Sequence, residues 1–121
     1  GLWQGLRMDD IRERSPKVHK QWVDDPLSLT PPDGEPLREA QARLADELAR
    51  SLERVARNSK SATPAVVVVL RPVAMALLRA RLLNEPGLVG WSKLATGPAY
   101  EWHSIPRERL DTLRAKVPSG V

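Results

Sequence analysis

The stretch "ATPAVVVVLRPVAMALLRARLL", Ala62 to Leu83, constrains this chain more than any other. Val66 to Leu70 form an uninterrupted apolar, β-branched run that stops at Arg71 and Pro72, where a second apolar segment begins at once. A run this short and without polar alternation predicts a strand, Ala65–Leu70, buried on both faces. Proline suits the first turn of a helix, where no N–H is needed, so a helix is predicted over Pro72–Leu83.

Upstream lies the clearest helix, roughly Pro36 to Arg57. Its apolar positions Leu37, Ala40, Leu44, Leu48, Leu52 and Val55 recur at spacings of three and four. Glu39 with Arg43, Asp46 with Arg50, and Glu53 with Arg57 stand four apart in the favourable acid-first order. Helix, buried strand and helix with tight connections predict an α/β fold, a mostly parallel sheet flanked by helices.

The rest of the chain is less regular. Residues 1–25 are polar, with a short helical candidate at Asp9–Arg14. "PLSLTPPDGEP", residues 26–36, holds four prolines and one glycine and predicts an irregular loop. Residues 84–98 read as loop with one helical turn. "AYEWHSI", residues 99–105, alternates, and predicts a half-buried edge strand with Tyr100 and Trp102 on one side and Glu101 and His103 on the other. The tail from Pro106 to Val121 has room for one short helix. No internal repeat is visible.

At 121 residues the chain is sized for one domain, expected to span residues 1–121. It has no Cys, which excludes disulfides, thiolate metal sites and a cysteine nucleophile. It has no Phe, so four tryptophans supply nearly all the aromatic bulk. The net charge of +4 comes from nineteen basic residues interleaved with fifteen acidic ones, which is not a nucleic-acid footprint. Apolar stretches fall far short of a membrane span, and no signal peptide is evident, so the expected location is cytoplasmic. Neither a cofactor nor a metal is expected.

Arg71 is the candidate site residue. In open α/β sheets ligands bind outside the carboxyl ends of strands, and a helix N-terminus there favours an anion. Position alone leaves two readings open. Arg71 binds a phosphate or carboxylate, or it reaches solvent or a nearby acid such as Glu35 or Glu101.

Three segments carry a family resemblance. "GLWQGL", residues 1–6, resembles the G-x-W-E-G segment of the histidine phosphatase (phosphoglycerate mutase-like) superfamily. "W-x-x-D-P…P-P-D-G-E-P-L-x-E-x-x-x-R-L", Trp22 to Leu44, is similar to that family's "W…P-P-G-G-E-S…R" run into a long helix. "VVVVLRPVAMALLRARLL" resembles its late strand, "vlvVsHGgviRalL". The resemblance implies a phosphoglycerate mutase-like fold lacking the family's N-terminal strand, with the chain as the back part of a longer domain.

In the family an early R-H-G histidine takes the phosphoryl group. A second histidine, at the end of the late strand, holds it, and an acid near G-x-W-E-G protonates the leaving group. Here the R-H-G place falls upstream of Gly1, the second histidine aligns with Arg71, and the following glycine aligns with Pro72. An arginine can hold a phosphate by charge-assisted bonds but cannot accept the phosphoryl group. His19 and His103 stand in neither family position, so a surface or supporting role outweighs that of nucleophile. Glu35 and Arg43 match family residues and are read as loop structure and an acid-pairing helix arginine.

Two function classes follow. One is a catalytically inactive histidine phosphatase-like domain with no catalytic residue of its own, a pseudoenzyme serving weak phosphate or sulfate binding at Arg71, or assembly. The other is the C-terminal part of an active phosphatase or phosphomutase whose nucleophile lies upstream of Gly1. A sheet missing a central strand leaves open edges, so a homo-oligomer or a separate N-terminal segment is expected to close it.

Overall fold

The computed structural model describes residues 1–85 and 100–114. Among these residues the elements are helical: α1 Met8–Arg14, α2 Pro16–Asp24, a single 3-10 turn Pro26–Ser28, α3 Leu37–Asn58, α4 Pro72–Leu82 and α5 Glu108–Arg114. No strand and no sheet occurs among them, which overturns the α/β expectation.

The long helix is α3, 22 residues that begin after Pro36. Its predicted apolar stripe faces inward: Leu37, Ala40 and Leu48 are buried, and Leu44, Leu52 and Val55 are half-buried. The helix packs against α4 and α5 and touches the Pro26–Ser28 turn. Two core clusters sit along it. The first joins Leu27, Leu29, Leu37, Ala40 and Leu77, with Trp3, Val18, Trp22, Val73 and Ala76 around them. The second joins Ala45, Leu48, Ala49, Leu78, Leu82 and Leu113. Leu44 packs against both. The one buried polar side chain among the described residues, Gln41, donates to the Leu77 carbonyl oxygen at 2.9 Å and ties α3 to α4.

The strand expected at Ala65–Leu70 is the clearest correction. Val67 and Val69 are 87% and 91% exposed, and Val68 is 46% exposed. No backbone hydrogen bond from Val66 to Leu70 occurs among the described residues. β-branched side chains hold a backbone extended, but a strand also needs a neighbour for its N–H and C=O groups. None of the described segments supplies one.

The 100–105 segment is likewise extended and not a strand. Its alternation is present with the sides reversed: Tyr100 and Trp102 are 76% and 81% exposed, while Glu101, His103 and Ile105 are half-buried. An ion pair is the reason. Glu101 turns inward to accept a hydrogen bond from Arg79 Nε of α4 at 2.8 Å. Residue 99 and most of the loop expected over 84–98 lie outside the described residues, as does the tail from 115. The short helix expected in the tail is α5. The helix α2, unforeseen, opens on Pro16.

Helix α4 ends as its sequence allows. Asn84 takes a left-handed conformation, φ 53°. Its N–H donates to Arg81 O at 3.3 Å, and the Glu85 N–H donates to Ala80 O at 2.9 Å. This is a Schellman closure with asparagine in the place usually held by glycine. Arg109 completes it from α5 by donating to Leu82 O at 2.7 Å and to Asn84 Oδ1 at 3.3 Å.

Candidate functional site

The three resembling segments converge on the first core cluster. Gly1 to Leu6 fold as two successive turns, with Gln4 N–H donating to Gly1 O at 3.1 Å and Leu6 N–H to Trp3 O at 3.0 Å. Gly5 has φ 84°, which a side chain would strain. The first turn lies on the proline loop, where the Leu2 N–H donates to Pro32 O at 2.8 Å. A Cβ on Gly1 would meet Pro32 O at 2.4 Å, so this approach excludes any side chain. Trp3 then packs edge-on against Trp22 of α2, with ring centroids 6.5 Å apart. Gln4, where the G-x-W-E-G pattern has its acid, is exposed.

The proline loop is fixed at both ends. The Gly34 N–H donates to Pro31 O at 2.8 Å across Asp33, whose φ is 51°. The Leu37 N–H donates to Leu29 O at 3.0 Å where α3 begins. Glu35 then accepts two hydrogen bonds from Arg43, from Nε at 3.0 Å and from Nη2 at 2.8 Å. That fork holds the Glu35 carboxyl below its ordinary value, chiefly by the hydrogen bond and secondarily by charge, and raises Arg43 in return. Glu35 and Arg43 are therefore loop structure and a paired helix arginine. Arg43 takes Glu35 in preference to Glu39. Asp46 pairs with Arg50 at 2.9 Å. Glu53 turns away from Arg57 to Arg114 of α5, at 2.6 Å.

Arg71 caps the start of α4. Its backbone is extended, φ −75° and ψ 158°, and its carbonyl accepts the Met75 N–H at 2.9 Å. Its side chain is exposed and forms no ion pair among the described residues. Both acids considered as its partners are engaged elsewhere: Glu35 with Arg43, and Glu101 with Arg79. Pro72 is the first helical residue and donates no N–H, so Val73 and Ala74 carry the free N–H groups of this end. Val73 and Ala76 pack into the cluster that holds Trp3, which brings the start of α4 onto the same core as the first two motifs.

The histidines stand apart from this place. His19 lies half-buried on α2. His103 Nε2 lies 3.4 Å from Glu101 Oε2, so one carboxylate bridges Arg79 and His103. That group was not foreseen, although the alternation had set Glu101 and His103 on one side. Among the described residues no three His, Asp or Glu gather closely enough to hold a metal ion. No helix among them is long and apolar enough to cross a membrane.

The family model of the histidine phosphatase superfamily (branch 1) matches residues 1–99, and the chain belongs to that superfamily. A protein of Mycobacterium tuberculosis named as a bifunctional protein is 34% identical over 89 residues. An uncharacterized protein of Mycobacterium bovis is 34% identical over the same length. Each match covers 74% of this chain and 23% of the relative, so the chain spans about a quarter of the length of the curated relatives it matches. No solved structure gives a significant match.

Proposed function

We propose that these 121 residues carry the anion-holding part of a histidine phosphatase-type domain and not its covalent chemistry. The observation that carries the reading is Arg71: an exposed guanidinium without an ion pair among the described residues, at the N-terminus of α4. Guanidinium and helix dipole favour the same ligand, a phosphate or sulfate. The sequence contains no Arg-His-Gly triplet, and its two histidines lie in other surroundings. An arginine in the family's second histidine position can bind a phosphoryl group but cannot become phosphorylated in a phosphatase cycle.

Binding is weak, because Pro72 removes one N–H from the cradle. A millimolar affinity, about 4 kcal/mol, that falls with salt is expected. Phosphate titration followed by NMR checks it: Arg71→Ala abolishes the response and leaves the helical spectrum intact. The chain alone is expected to show no turnover of p-nitrophenyl phosphate. Turnover that survives purification and disappears on His19→Ala or His103→Ala overturns the non-catalytic reading.

The greater length of the relatives favours a second reading, an active phosphatase completed by a nucleophile from outside these residues. In a longer protein that hydrolyses phosphomonoesters, Arg71→Ala would then raise KM and lower kcat. An unchanged kcat/KM would remove Arg71 from the site.

A further inference from the structure

Gln41 is only 7% exposed, and its hydrogen bond to α4 uses half of its amide. The Leu77 carbonyl can only accept, so the group facing it is Nε2, which fixes the orientation of the amide. Oε1 is then a buried acceptor that no donor among the described residues reaches. Such an acceptor is costly unless a donor comes from outside the fold. The surroundings provide the way in. Gln41 lines a cleft of 280 Å³ between the Pro26–Ser28 turn, α3 and the end of α4, with Leu27 and Ala80 as its apolar walls.

Three half-buried charged residues line the same cleft: Arg38, one turn before Gln41 on α3, Arg81 on α4, and Glu85. The closing turn of α4 sets Glu85 there, with its N–H donating to Ala80 O at 2.9 Å. Arg81 is steadied by donating to Thr112 O of α5 at 3.2 Å. About 15 Å of helix separates Arg81 from Arg71, so the cleft is distinct from the anion place at the start of α4.

We propose that this cleft binds a small apolar amino acid. Its carboxylate lies against Arg38 and Arg81, and its ammonium donates to Gln41 Oε1 beside Glu85. Its side chain rests on Leu27 and Ala80. Each part of the ligand answers to a different wall. An inorganic anion would satisfy only the arginines and would meet Glu85. The volume lies at the lower limit of ligand pockets and admits only a small molecule. The inference stands independently of anion binding at Arg71.

NMR titration of the whole chain with L-valine, isovalerate and isobutylamine tests it. Isovalerate lacks the ammonium, and isobutylamine lacks the carboxylate. Valine should shift the Gln41 side-chain NH2 signals at millimolar concentration, and each truncated analogue should bind roughly tenfold or more weakly. Arg38→Met removes a carboxylate partner and should weaken valine and isovalerate alike. Gln41→Met removes the acceptor and should weaken valine while leaving isovalerate unchanged, a split that loss of packing alone would not produce. Circular dichroism verifies that each variant is folded, and the three probes on the wild-type chain decide even if Gln41→Met is not. No shift with valine at tens of millimolar leaves the cleft to water and overturns the proposal. Equal responses to the three probes, or an undiminished valine response in Arg38→Met, also overturn it.

Discussion

Glu35 shows how a motif residue can be structural. Its fork with Arg43 fastens the proline loop to α3, and the exposed setting of both side chains limits its worth to under about 1 kcal/mol. The sign of its pH dependence is fixed. The folded-state pKa is depressed from 4.5, so the contribution is fully present above that unfolded value and is lost as pH falls through the folded one. Glu35→Gln should lower stability slightly near neutrality and not at all in strong acid. Denaturant midpoints for both proteins, measured on either side of the carboxylate range, check it. That Arg43 needs an acid is legible in the sequence. Which acid is not, because Glu39 is its neighbour on the helix and Glu35 reaches it only through the fold of the loop. The solitary state of Arg71 was equally hidden. It depends on Arg79, two turns further along α4, claiming Glu101.

At the scale of elements, helices were legible where three-and-four spacing is long, as in α3, and where proline marks the start, as in α4. The nine-residue α2 was missed because Val18 and Trp22 alone give too few apolar positions to reveal a period. The valine run failed differently. Composition specifies its extended backbone, but pairing and burial belong to whatever lies beside it. The reversed faces of residues 100–105 follow the same logic, since an arginine on another helix decides which side turns inward. The end of α4 carries a prediction of its own. Asn84→Val places a β-branched residue at φ 53° and loses the Arg109 contact, so it should cost about 1–2 kcal/mol. Asn84→Gly relieves the backbone and loses only the side-chain bond, so it should fall well short of that. Thermal melts of the two variants separate backbone strain from hydrogen bonding.

At the scale of the molecule, α3 is a spine with one cluster at each end and Leu44 bridging them. Leu44→Ala should cost about 2–4 kcal/mol and, more tellingly, loosen the coupling of the two ends. Hydrogen exchange should then show the Trp3–Trp22 end and the α5 end opening with different free energies; a single shared value would refute the bridging role. The exposed valine segment bears on the life of the chain as a substrate for others. Proteases bind their targets in extended form, so elastase, which cleaves after small apolar residues, should nick first between Val66 and Val69. Trypsin should spare the adjoining Arg71–Pro72 bond, since proline follows the arginine. The cut would leave α3 on one fragment and α4 on the other, held by Gln41 and the shared cores, so nicked protein should still elute as one species.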